Sequence, residues 1–170
     1  MMDISARNMR IGHLIDSPDI APILAKWFID EWGPWYGPNG QGNAESDLAE
    51  CSSKNKLPIC LIAVDENGQM LGTAALKTKS VGSELGVGPW PAAVLVSQEH
   101  KGKGVGTALV KAIEEEAARL NFPSIYTSTD TAEGILVRRG WHAFGTTQSL
   151  RGPVLIYRWQ VKDTTVSTAQ

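Results

Sequence analysis

Cysteine is scarce in this chain of 170 residues, which holds only Cys51 and Cys60. They form neither a Cys-x-x-Cys pair nor a metal-ligand pattern, and both read as reduced thiols, Cys60 within a strand. The three histidines, His13, His100 and His142, lie far apart in sequence and offer no metal spacing, so no metal is expected. No apolar run is long enough to span a bilayer, and the first residues lack the apolar core of a signal peptide. Charge of one sign is also missing: the net charge is −2, which argues against nucleic acid or an anionic membrane surface as a partner. These absences make the cytoplasm the expected location. With 42% apolar residues, the chain can bury a sizeable core. The expectation is a single domain over residues 1–161 with a polar tail at 162–170.

What the chain does have is glycine in a telling place. Lys101-Gly102-Lys103-Gly104-Val105-Gly106-Thr107 follows the apolar run Ala92-Ala93-Val94-Leu95-Val96, which reads as a buried strand. After it, Val105, Leu109, Ile113, Ala117 and Leu120 recur at helical spacing. A strand, a glycine-rich turn and a helix start make an anion site, because the first helical N–H groups lack partners and the macrodipole favours negative charge. The spacing is neither the full dinucleotide fingerprint nor a P-loop, since no Gly-Lys-Ser/Thr closes it. The segment is therefore read as a pyrophosphate cradle.

The remaining pattern alternates strands and helices. Strands are expected at 9–15, 58–65, 70–77, 92–96, 124–127, 141–146 and 154–161. Helices are expected from Ser17-Pro18-Asp19 onward, at 43–54, from Val105 to Leu120, and at 131–138. Ser17 is a candidate cap with Pro18 at the first helical position, and Ile20, Ile23, Leu24, Trp27 and Phe28 form an apolar face. Residues 32–42 are too rich in glycine and proline to continue that helix and read as a loop. Glu66-Asn67-Gly68-Gln69 signals a hairpin, and residues 79–88 a loop before the next strand. Asn121 is placed to end the long helix in the left-handed conformation.

The segment from Val94 to Gly106 resembles motif A of the GCN5-related N-acetyltransferases, whose loop is written Arg/Gln-x-x-Gly-x-Gly/Ala. Lys101 stands at the first position, with Gly104 and Gly106 as the two glycines. Ala132-Glu133-Gly134-Ile135-Leu136-Val137-Arg138-Arg139-Gly140-Trp141 resembles motif B. The resemblance implies an α/β fold, a central mixed, mostly antiparallel sheet flanked by helices, with acetyl-CoA as cosubstrate. It further implies that backbone groups at Leu95 and Val96 pair with pantetheine. The N–H groups of Gly102, Lys103, Gly104, Val105, Gly106 and Thr107 would then hold the pyrophosphate, and Lys101 and Lys103 would add charge-assisted contacts. Arg138 and Arg139 are candidates for the ribose phosphate, or ordinary surface charges. The implied reaction is direct attack of a neutral primary amine on the thioester.

Two family positions depart from the pattern. Leu136 stands where motif B carries a tyrosine acid, and Trp90 where some members carry a carboxylate base. Tyr126 is a substitute acid or a packing residue. For the acceptor, Asp30, Glu31, Trp32, Trp35 and Tyr36 set two carboxylates beside three aromatic rings, with Glu84 and Asp130 as further candidates. Carboxylates attract a cationic amine and ring faces hold a cation or a sugar, although tryptophans at a helix end also close small cores. Glu45, Asp47 and Glu50 either extend an acidic rim or form a solvated helix face. The expected acceptor is a small polar amine such as an aminoglycoside or polyamine. A protein or peptide amine and a non-catalytic acyl-CoA-binding role stay open, and a homodimer is compatible with the sequence.

Overall fold

The computed structural model describes residues 9–36, 38, 40–51, 53–80, 82–129, 133–149 and 152–161. Strand β1 (Arg10–His13) leads through two 3-10 turns into helix α1 (Ala21–Glu31) and a single-turn helix α2 (Gly33–Tyr36). Helix α3 (Ala44–Glu50) follows, then strands β2 (Ile59–Val64), β3 (Met70–Lys77) and β4 (Trp90–Val96). The long helix α4 (Val105–Arg119) precedes β5 (Ser124–Thr129), α5 (Glu133–Arg139), β6 (His142–Ser149) and β7 (Gly152–Gln160).

The described strands pair antiparallel in two sheets, β1-β2-β3-β4 and β5-β7-β6. Strand β2 is buried along its whole length, which is why its sequence is an unbroken apolar run. Its Ile59, Leu61 and Ala63 pack with Leu109, Ile113 and Ala117 of α4. Its Cys60, Ile62 and Val64 face the other way, onto Leu24, Ala25 and Phe28 of α1 and Leu48 of α3. The first sheet is thus a layer between α4 and the α1–α3 segment. Leu109 is fully buried, and truncating such a residue to alanine costs about 2–5 kcal/mol.

Several local signals are realised with their chemistry. Asn121 adopts φ 66°, and the N–H groups of Asn121 and Phe122 close on the carbonyls of Ala118 and Ala117, ending α4 in a Schellman motif. Asn43 caps α3 by accepting the Ser46 N–H at 2.9 Å. In the β2–β3 turn Gly68 takes φ 80°, while the Asp65 carboxylate accepts the N–H groups of Asn67 and Gln69.

Other readings are corrected. The first strand stops at His13, and Leu14–Asp16 forms a 3-10 turn. Ser17 makes no side-chain cap; Pro18–Ile20 is itself a 3-10 turn, and α1 starts only at Ala21. Ile23 is 51% exposed, and Ala25 takes its place on the buried face. The segment read as pure loop holds α2, and the helix read over 43–54 stops at Glu50. Strand β4 begins at Trp90, β5 runs on to Thr129, and β6 to Ser149. In place of one mixed sheet, every described strand pairing is antiparallel, and the two sheets meet only at the seam between β4 and β5.

Candidate active site

That seam is short. Tyr126 donates its N–H to the Pro89 carbonyl at 3.1 Å, and the Thr127 hydroxyl donates to the Pro91 carbonyl at 3.1 Å. Beyond Pro91, no backbone pairing joins β4 to β5 among the described residues, so the two sheets splay apart. On the β3 side the register steps from Leu76↔Pro91 and Ala75↔Ala92 to Thr73↔Leu95, an extra residue that bulges β4. Leu95 packs toward the cluster that also takes Trp32 and Tyr36, whereas Val96 packs toward the α4 cluster. The open edge of β4 can pair with an extended chain bearing amides.

The glycine loop stands at the end of that edge. Gln98–His100 forms a 3-10 turn, the Ser97 hydroxyl lies 2.5 Å from His100 Nδ1, and the Lys103 N–H closes on the His100 carbonyl. Gly102 and Gly104 take φ 79° and 88°, the left-handed region in which a side chain is strained. The first hydrogen bond of α4 runs from the Ala108 N–H to the Gly104 carbonyl at 3.0 Å, leaving Val105, Gly106 and Thr107 as orphan donors. A Cβ at Gly106 would stand 3.3 Å from Ile135 Cδ1 and 3.7 Å from Val96 Cγ2, so the loop is seated against α5 and β4. Lys101 and Lys103 are exposed, and neither forms an ion pair among the described residues. Free N–H groups, a helix start and two unpaired cations suit a diphosphate.

The two arginines of the motif B stretch part company. Arg139 is committed inward, with Nε 2.9 Å from Glu114 Oε2 and Nη2 2.6 Å from Oε1. The Trp141 indole N–H donates to the same carboxylate at 2.9 Å. Arg139 is therefore not a phosphate ligand, because its fork is already filled. Arg138 is exposed and forms no ion pair among the described residues.

The proton-transfer positions are occupied by apolar groups. Leu136 is buried in the α4 cluster. Trp90 is fully buried, its indole N–H donating to the Val87 carbonyl at 2.9 Å, and a Cβ at Gly82 would strike its ring at 2.6 Å. Trp90 thus anchors the β3–β4 loop and supplies no base. Tyr126 lies beside it, 6.0 Å between ring centroids, with Phe144 edge-on at 5.0 Å. Its hydroxyl has no hydrogen bond among the described residues. Burial pushes the Cys51 thiol up to about 12 and raises that of Cys60, so neither supplies a thiolate near neutral pH.

The acceptor candidates divide. Trp32 packs edge-on against Phe28 at 5.3 Å, and Tyr36 stacks on Phe28 at 5.9 Å. The Tyr36 hydroxyl donates to Asp47 Oδ2 at 2.5 Å; burial and this carboxylate hold it well above the usual tyrosine range. Asp30 and Glu31 are exposed at the end of α1, and Trp35 is 49% exposed. Glu84 accepts the Thr147 hydroxyl, which lowers its carboxyl pKa and ties the β3–β4 loop to β6. No described contact brings Glu84 to the α1–α3 patch. Asp130 lies outside the described residues. Asp47 was legible only as one acid on a helix; its bond to Tyr36 spans 11 residues and no local pattern announces it.

A splayed sheet with a diphosphate-type helix start at one end defines an acyl-CoA-dependent transferase. The model of the acetyltransferase (GNAT) family matches residues 22–138, and the chain belongs to that family. It is an acetyltransferase, and acetyl-CoA is its acetyl donor. Among solved structures, the chain resembles an aminoglycoside 6'-N-acetyltransferase complexed with coenzyme A. The identity is 16% with a TM-score of 0.71, covering 90% of this chain and 97% of that one. The aminoglycoside 6'-N-acetyltransferase from Enterococcus faecium gives 16% identity and a TM-score of 0.70, over 90% and 97% of the two chains. The protein yncA from Salmonella typhimurium, solved with acetyl-CoA, gives 17% and 0.68, over 91% and 95%. No curated protein matches the chain in sequence. No described helix is long and apolar enough to cross a membrane.

Proposed function

We propose that this acetyltransferase acts on the primary amine of a small polar molecule. The carrying observation is the unpaired β4 edge leading to the glycine loop, with a carboxylate- and aromatic-bearing segment on the Leu95 side of the sheet. Bound acetyl-CoA supplies an activated thioester. Leu95 and Val96 offer backbone groups to its pantetheine amides, and one of their N–H groups stabilises the developing oxyanion. The N–H groups of Gly102, Lys103, Gly104, Val105, Gly106 and Thr107 hold the pyrophosphate, Lys101 and Lys103 add charge, and Arg138 meets the ribose phosphate.

The acceptor amine is drawn by Asp30 and Glu31 and passes Trp32, Trp35 and Tyr36. The carbon–nitrogen bond forms as the carbon–sulfur bond breaks; the amine proton leaves to water, and Tyr126 protonates the departing thiolate. Holding both reactants on one sheet edge supplies much of the rate. Two exposed carboxylates beside an exposed indole favour a polyamine or an aminoglycoside, and the likeness to aminoglycoside acetyltransferases agrees with that choice.

The test is acetyl-CoA-dependent thiol release against aminoglycosides, polyamines, amino acids and short peptides. Selective turnover of one small amine is expected. Turnover confined to peptides would move the reading to a protein acceptor, and silence in protein that binds acetyl-CoA would sink the small-amine reading.

A further inference from the structure

A loop that gives several N–H groups to one diphosphate binds best when they are in place before the ligand arrives, because ordering glycine on binding weakens affinity. The far end of the glycine loop is fixed by α4 and by the seat of Gly106 beside Ile135 and Val96. Its near end is the segment from Ser97 to Lys101, where one pair of side chains stands out.

The Ser97 N–H donates to the Leu71 carbonyl at 2.9 Å, which pins the end of β4 to β3. The His100 N–H donates to the Ser97 carbonyl at 3.0 Å, and a second bond, of 2.5 Å, joins the Ser97 hydroxyl to His100 Nδ1. Backbone and side chain thus close the same 3-10 turn, an element that its own backbone bonds hold poorly. The His100 carbonyl in turn accepts the Lys103 N–H at 3.3 Å, across Gly102. Among the described residues, no other side chain from 98 to 107 makes a hydrogen bond. Ser97 directly follows Val96 on the β4 edge, and His100 stands two residues before Gly102. Their bond sets the direction in which the chain leaves the strand and enters the cradle.

We infer that Ser97 and His100 are positioning residues for acetyl-CoA, their side-chain bond holding the near end of the glycine loop so that its N–H groups meet the diphosphate preformed. This rests on the assignment of that loop to the diphosphate. Neither side chain touches the ligand in this role; both act through the backbone that follows them.

The experiment is calorimetric titration of the protein with CoA. Ser97→Ala and His100→Ala should each weaken binding about fivefold, within what one hydrogen bond supplies. The double variant should bind no more weakly than either single one, since both changes remove the same bond. Ser97→Thr keeps the hydroxyl and His100→Asn keeps a polar atom in the Nδ1 position, so both should retain most of the affinity. In the free protein, the amide resonances of Gly102 and Gly104 should broaden in the alanine variants, the mark of a loop released into exchange. Undiminished CoA affinity in both alanine variants, losses that multiply in the double variant, or losses that neither conservative variant avoids overturn the inference. Gly104→Val separates this result from the assignment beneath it. Binding lost in Gly104→Val but kept in the alanine variants upholds the loop and sinks the brace. Binding kept in Gly104→Val sinks the loop assignment, and the brace with it.

Discussion

Arg139 closes on Glu114 through two hydrogen bonds, and Trp141 adds a third to the same carboxylate. Glu114 is 5% exposed, on the face of α4 that meets α5 and the start of β6. The pair ties the glycine-loop helix to the helix whose Ile135 seats Gly106. Removing one partner of such a pair strands a buried charge, at a cost of about 3–5 kcal/mol. Arg139→Met, which leaves the buried Glu114 carboxylate without its cation, should lose stability on that scale in urea denaturation. A loss below about 1 kcal/mol, the range of exposed ion pairs, would show that the contact is a surface one.

Gly104 begins α4 at φ 88°. Gly104→Val should abolish acetyl-CoA binding in titration, because a side chain enters the phosphate cradle. The left-handed backbone adds a stability cost of about 1–2 kcal/mol, too little to unfold a typical domain. Undiminished cofactor affinity would remove the loop from the site.

Arg138 and Arg139 should respond differently to cofactor chemistry. Arg138→Met is expected to weaken binding of CoA about tenfold while leaving dephospho-CoA unchanged, since only the former carries the ribose phosphate. An equal loss for both ligands would assign Arg138 elsewhere.

Burial alone would raise the Glu116 carboxyl, but hydrogen bonds from Arg119 and from His13, whose Nε2 stands 2.6 Å away, outweigh it and lower it. A carboxyl lowered in the folded state stabilises fully above its unfolded pKa of about 4.3 and loses that contribution as pH falls through the folded value. Urea midpoints should therefore drop below about pH 5 in the native chain and drop less in Glu116→Gln. Parallel acid profiles would mean that other carboxyls carry the transition.

Tyr126→Phe should lower kcat by about a hundredfold with little change in KM, the lower end for general acid catalysis because a CoA thiolate leaves readily. An unaltered rate would make Tyr126 the partner of Trp90 and Phe144 and nothing more.

Local chemistry was written in the sequence where it depends on neighbours along the chain. The left-handed Asn121, the Gly68 turn and the orphaned start of α4 follow from residue types at fixed short spacings, because backbone strain and helix-end hydrogen bonds are local. The Ser17 cap failed because a 3-10 turn intervened, and a cap needs the α-helical first turn to donate to it.

Partnerships across the chain were decided by tertiary structure alone. Arg138 and Arg139 read alike in sequence, and only packing showed that Glu114, 25 residues away, had taken the second. Glu84 looked like a free acceptor carboxylate until β6 supplied Thr147, 63 residues on. Asp47 and Lys77 come to one cleft because α3 lies across the end of β3. Short-range sterics and hydrogen bonding can be read from residue order, whereas a charge's partner depends on which distant surfaces burial of the apolar faces presses together.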